Sequence, residues 1–238
     1  KKCKTTGTNF FADGGGAIYA GGATVEMTNC TLTENTATGG GGIAFKDGKG
    51  MTLTNCKIKD NEVTDGDGGG IYFEDGIYTS EYTITGGEIS ENKVIMIGTT
   101  DQRFGGGIAV GNFGINITID GCTIKDNRIR GASDKNPRGA GIWFGNRVNC
   151  TIKGNTAIEN NKAHETGNED NLIGQGGGIQ VDGRTLKIEG NTKIIGNGAK
   201  SGGGIYVQGG VITLIGSAVV TPSSGSDEDK PGKNDVYL

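Results

Sequence analysis

Residues 40–61 read Gly-Gly-Gly-Ile-Ala-Phe-Lys-Asp-Gly-Lys-Gly-Met-Thr-Leu-Thr-Asn-Cys-Lys-Ile-Lys-Asp-Asn. Ile43 and Phe45 fall two apart, so on a strand they share a face and Ala44 points the other way. Asp47-Gly48 then supplies a turn. Met51 and Leu53 begin a second alternating strand, and Ile58 centres a third short segment that closes on Asn61. Three strand-length segments fill these residues and leave no room for a helix.

The unit recurs along the chain. A glycine box followed by isoleucine occurs seven times, at Ile18, Ile43, Ile71, Ile108, Ile142, Ile179 and Ile205. Their spacings are 25, 28, 37, 34, 37 and 26 residues, so the short intervals define the unit and the long ones carry insertions. Self-similarity at this period marks a stacked repeat architecture. Strand-length periodicity throughout points to an all-β, single-stranded parallel β-helix of about 7–8 coils, with three short strands per coil. Parallel crossovers are right-handed in about 98% of cases, so a right-handed solenoid is expected. Equivalent residues then stack about 4.8 Å apart. Leucine-rich and ankyrin repeats supply neither the glycine box nor this period.

Composition fits this reading and excludes others. The 238 residues include 48 glycines and only 3 prolines, with no Gly-X-Y period, which excludes collagen. A net charge of −4 gives no basic field for nucleic acid. There is no apolar run near the ~18 residues of a membrane span. The chain reads as one β-helix domain, 1–238, expected to be a fragment of a longer protein. A β-helix that stops after Val236-Tyr237 is expected to offer an unpaired edge for end-to-end self-association.

Three sets of residues stand out. The first is an asparagine column, Asn35, Asn61, Asn92 and Asn127, continued by Asn161 and Asn197 after one extra residue. Stacked asparagines can form an amide ladder. The second is the middle residue of each box strand, which points outward: Tyr19, Ala44, Tyr72, Ala109, Trp143, Gln180 and Tyr206. Aromatic and small residues alternate there. Tyr19, Tyr72, Trp143 and Tyr206 form either a candidate binding surface for sugars or a protein, or rings that cover the open sheet face or pack beneath the insertions. The third is a run of insertions, 93–104, 128–138 and 162–175, between the asparagine and the next box. They form a candidate protrusion with Arg103, Arg130, Arg138 and His164.

Other chemistry is weaker. Cys30, Cys56 and Cys122 share one repeat position, with Gly87 between the last two; they read as small buried thiols or, for Cys30 and Cys56, as a disulfide between adjacent coils. Cys150 lies on an inward strand position. Asp65-Gly66-Asp67-Gly68-Gly69-Gly70 resembles the Gly/Asp calcium repeats of some β-rolls but occurs once, not in tandem. Asp47 and Asp75 stack at a spacing that could serve hydrolysis, yet both sit in Asp-Gly turns. No catalytic residue, metal or cofactor is assigned. Outward Thr52/Thr54 and Thr83/Thr85 pairs give way to charged residues, so no flat threonine ladder forms.

The boxes and the asparagine segments together resemble the paired GGA(I/L/V) and FxxN repeats of the chlamydial polymorphic outer-membrane proteins. Gly15-Gly16-Ala17-Ile18 matches the first. Leu32-x-x-Asn35, Ile58-x-x-Asn61, Ile89-x-x-Asn92 and Ile124-x-x-Asn127 match the second, with leucine or isoleucine in place of phenylalanine. The resemblance is thus to a related class of bacterial surface β-helix repeats. It implies an exported segment at the cell surface or outside the cell, and adhesion to a protein or glycan as a non-catalytic role. The alternative is a carbohydrate-active, lyase- or hydrolase-like, or sugar-binding β-helix.

Overall fold

The computed structural model describes residues 14–74, 81–111, 114–221 and 236–237. The second coil shows how the sequence becomes a turn of the solenoid. Its strands are Ile43–Lys46, Gly50–Thr54, Lys57–Lys59 and Glu62–Thr64. Each joins a different sheet, so four sheets run along the axis instead of the three expected. The fourth strand begins directly after the ladder asparagine. Its members Lys93–Ile95, Arg128–Gly131 and Lys162–Glu165 occupy the first residues of what the sequence reads as insertions.

Pairing between coils is parallel and in register. The box isoleucines align as Ile18↔Ile43↔Ile71↔Ile108↔Ile142↔Ile179↔Ile205, and Val236 follows. Unequal spacing in the sequence therefore leaves the register untouched. Each insertion leaves the barrel and returns to the same step. That step is itself a ladder of single bridges, Phe104↔Arg138↔Gln175↔Ser201. Among the described residues one pair of strands is antiparallel, the hairpin of Lys162–Glu165 with Asn168–Leu172.

The box works through its first two glycines. The first, from Gly15 to Gly202, holds a positive φ of 58 to 85° in all seven coils, a region costly for residues with a Cβ. The second lies against the next coil: a Cβ on Gly69 would stand 2.3 Å from Gly106 O. In six of the seven coils this position has no side chain; in the fifth it is Ala140, whose methyl joins the smaller core.

The interior has two parts, separated by the asparagine column. The larger is an apolar column of Ile, Leu, Val and Phe side chains from the first three sheets. Phe45 and Phe73 stack at 5.0 Å, and the Tyr82 ring meets Phe73 edge-on at 5.1 Å. The Tyr82 hydroxyl donates to Gly48 O at 2.6 Å, which satisfies the one polar atom this ring brings inside. The smaller core lies beneath the fourth sheet, where Val63, Val94, Ile129 and Ala163 join Met96, Ala140 and Ala199. At the last coil, Val211, Leu214, Ile215 and Val219 are exposed.

The column between the cores is a continuous amide ladder. Each asparagine sends Nδ2 to Oδ1 of the next: Asn35 to Asn61 at 2.7 Å, Asn61 to Asn92 at 2.9 Å, Asn92 to Asn127 at 3.0 Å, and Asn127 to Asn161 and Asn161 to Asn197 at 2.9 Å. The residue before it, from Glu34 to Asn160, has φ of 53 to 56° in five coils and turns the chain so that the amide enters. The extra residue read into the later coils does not disturb the stack.

Candidate functional site

The outer face of the first sheet gathers the most chemistry. The row Tyr19, Ala44, Tyr72, Ala109, Trp143, Gln180, Tyr206 lies in register across it. Its members differ in exposure. Tyr19 is 45% exposed, and Tyr72 and Tyr206 are partly so. Trp143, expected to present its ring outward, is only 4% exposed. The ring does leave the barrel, but Phe104 covers it, stacked at 4.1 Å with planes 24° apart.

Phe104 ends the first insertion, and two aspartates hold that insertion down. Asp65 Oδ1 accepts the Ile97 and Gly98 amides, both at 2.8 Å, and Asp67 Oδ1 accepts the Phe104 amide at 2.9 Å. The Asp-Gly-Asp-Gly stretch that resembles the calcium repeats of some β-rolls thus serves as a two-point clamp. Burial pushes the Asp67 carboxyl up to about 6.

Asp182 organises the other side of Trp143. Its Oδ2 accepts from Trp143 Nε1 at 2.8 Å and from the Arg138 guanidinium at 3.1 Å, while Oδ1 accepts from Gln180 Nε2 at 2.6 Å. Arg138 also donates to Gln208 Oε1 at 2.9 Å. Arg138 and Asp182 are both largely buried, so Arg138, expected on a protrusion, is folded onto the sheet. Three buried polar atoms here have no partner: Arg138 Nε, Gln175 Oε1 and Gln180 Oε1.

The remaining protrusion residues separate. Arg103 donates to Thr100 Oγ1 at 3.4 Å within its own loop. Arg130 lies on the fourth sheet, 4.0 Å from Glu169 of the hairpin. His164, its neighbour in register, is 1% exposed, so it is not a surface group. Its Nδ1–H donates to Glu165 O at 2.8 Å, and Nε2 is buried with no partner. Burial holds this imidazole below its ordinary pKa. The ring is buried on the hairpin's first strand, in register with Leu172, which the polar sequence around it does not announce.

Cys30, Cys56, Cys122 and Cys150 are free thiols. Cys56 Sγ lies 3.5 Å from both Met27 O and Thr54 O, and Cys30 and Cys56 sit on neighbouring coils as free thiols in place of the disulfide weighed from the sequence. Burial pushes Cys122 up to about 12, and Cys150 well above its usual range. Asp75 and Cys3 lie outside the described residues. On the third sheet, a shallow groove of about 500 Å³ is lined by Asn155, Asn191, Glu159 and Lys193.

Sequence reading missed Phe104, Gln180 and Asp182 as site residues. Two signals were available. Phe104 is the one aromatic among the residues that precede a late box, where Arg138, Gln175 and Ser201 stand in the other coils. Asp182 reads as another Asp-Gly turn, and only the fold brings it beneath Trp143.

No curated protein and no solved structure matches the chain. The family described as right handed beta helix region matches residues 1–157, and the first three sheets continue through the coils that follow. With parallel pairing in every sheet and the box residues in register from end to end, the chain belongs to the right-handed β-helix region family.

Proposed function

We propose that the chain is a non-catalytic, cell-surface or secreted rod, adhesin-like or a stalk, that contacts a protein or glycan through the outer face of its first sheet. The observation that carries this reading is the aromatic row. Tyr19, Tyr72 and Tyr206 stay partly exposed at fixed register on a rigid scaffold. Amphipathic rings in coils one, three and seven suit weak, repeated contacts with sugar faces or apolar side chains. The likeness to bacterial surface repeats supports the extracellular placement.

The groove on the third sheet favours sugar binding as a second reading. Glu159 is the one carboxylate in its lining. Hydrolysis uses a pair of carboxyl groups flanking the bond, so the groove supports binding over cleavage.

The test is a glycan array together with adhesion of the chain to epithelial cells, run for the wild type and a Tyr19→Ala/Tyr72→Ala variant. A ligand whose binding falls at least tenfold in the variant supports the reading. Equal binding by the variant overturns the aromatic row. Release of new reducing ends from a polysaccharide panel overturns the non-catalytic assignment.

A further inference from the structure

We propose that the cluster around Asp182 is a binding site for a neutral hexopyranose unit, and that Phe104 occupies the place of the sugar ring. This rests on the reading of the rod as a glycan-contacting surface and names the site and the ligand class.

The polar atoms carry the first half of the inference. Buried donors and acceptors are nearly always paired, so each exception calls for an explanation. Three of the eight exceptions among the described residues belong to residues bridged to one another or bonded to Asp182 here, one donor at Arg138 Nε and two acceptors at Gln175 Oε1 and Gln180 Oε1. Gln180 is 0% exposed. A vicinal diol matches this set, because each hydroxyl both donates and accepts. The charges set the net charge of the ligand. Asp182 is already matched by Arg138, and both its oxygens are engaged. A charged ligand would leave an unmatched charge in a buried site, whereas a neutral polyol would not.

The rings carry the second half. Trp143 meets the polar cluster at its ring edge, through Nε1, and presents a flat face to Phe104. Phe104 stacks on that face at 4.1 Å, which is the position of a sugar ring on an aromatic platform. Its backbone is fixed by the bridge to Arg138 and the bond to Asp67. The ring can therefore leave by rotation about its side-chain bonds while the insertion stays clamped. Displacement of Phe104 would open the platform beside the polar cluster.

Trp143 is the only tryptophan in the chain, so its emission reports on the site directly. The experiment titrates wild type, Phe104→Ala, Phe104→Leu and Gln180→Leu with methyl glycosides of glucose, galactose, mannose and N-acetylglucosamine. The expected result is a saturable emission change with at least one glycoside. Affinity should be at least tenfold higher in the folded Phe104 variants and at least tenfold lower in Gln180→Leu. No saturable change in wild type and in either Phe104 variant overturns the proposal. An identical response in Gln180→Leu also overturns it, and the unpartnered atoms then belong to bound water. Cell or array binding with a silent Trp143 rejects this site and leaves the adhesive reading standing. A Trp143 response without adhesion does the reverse.

Discussion

Replacing Asn127 by alanine removes the centre of the amide ladder. Its side chain makes four hydrogen bonds. Nδ2 donates to Asn161 Oδ1 at 2.9 Å and to Ile89 O at 3.0 Å, and Oδ1 accepts from the Asn92 amide and from Asn92 Nδ2, both at 3.0 Å. Not every partner is orphaned. Asn161 Oδ1 keeps the Asn127 backbone amide at 3.0 Å, and Asn92 Nδ2 keeps Ile58 O at 2.9 Å. Two donors on Asn92 lose their acceptor, the backbone N–H and the second amide hydrogen, in a column that is 0% exposed. At roughly 2 kcal/mol for each buried donor left unmade, the expected loss is about 4 kcal/mol.

Aspartate at the same position sharpens the test. One oxygen can still serve both Asn92 donors. The other must face Asn161 Oδ1 and Ile89 O, both acceptors, so the carboxyl has to hold a proton. Its pKa in the fold is raised, and the stability it allows is present below the unfolded value and lost as pH rises through the folded one. Urea unfolding followed by far-UV circular dichroism should therefore rank wild type above Asn127→Ala at every pH. Asn127→Asp should lie far below wild type at neutral pH and recover on acidification. Amide exchange at Asn92 should accelerate in the alanine variant. The exposed Thr52→Ala is the control, expected within about 0.5 kcal/mol of wild type. A loss under about 1 kcal/mol in Asn127→Ala, with Asn92 still protected, would refute the ladder as a stabilising element.

The buried carboxyl of Asp67, raised to about 6, contributes stability that is full below its unfolded value of 3.8 and gone above about 6. The shift corresponds to about 3 kcal/mol at 1.36 kcal/mol per unit, so Asp67→Asn should raise the urea midpoint at about pH 8 and leave it unchanged near pH 3. His164 runs the other way, because burial lowers its pKa: its contribution is present above the unfolded value of 6.5 and is lost as pH falls through the folded one. Imidazole NMR should place the His164 titration below that value, and His164→Leu should remove the part of the acid destabilisation that belongs to the hairpin. Among the glycines, Gly66→Ala drives a Cβ onto the backbone oxygen of Thr38 and should cost far more than Gly121→Ala. Gly121 has φ of 64° and open space around it, so its change should cost about 1–2 kcal/mol of backbone strain; equal midpoints for the two variants would refute the close-approach argument.

What could be read from the sequence follows the range of the interaction. The Ile18-to-Ile205 column, the inward pairs such as Met51 and Leu53, and the asparagine positions are each specified within a few residues and repeated, so the solenoid is legible. The fourth strand is not. It carries a single inward apolar residue, Val63, Val94, Ile129 or Ala163, flanked by polar ones, which is too short a run to show a period of two. Trp143 is legible as outward and as a ring that an insertion could cover; the identity of the cover is not legible, because Phe104 comes from the coil before. His164 is legible as lying in a polar stretch, yet the register slip at His164/Glu165 and the returning strand paired with it are properties of the hairpin.

The same geometry explains why the face chosen for function lies outside the barrel. Inside, every position is bound to its counterpart above and below, so a change at Ile108 or Asn92 acts on three coils at once. Outside, an insertion has to meet one requirement, which is to return at the step held by Phe104, Arg138, Gln175 and Ser201. Between departure and return it is free in length, as the spacings of 37, 34 and 37 residues demonstrate without any shift of register. The return residue is then placed by the scaffold directly beside the outward row of the first sheet. A phenylalanine at that step covers Trp143, and an arginine there pairs with Asp182. Exchange of this one side chain changes what the face presents and leaves the ladders beneath it intact.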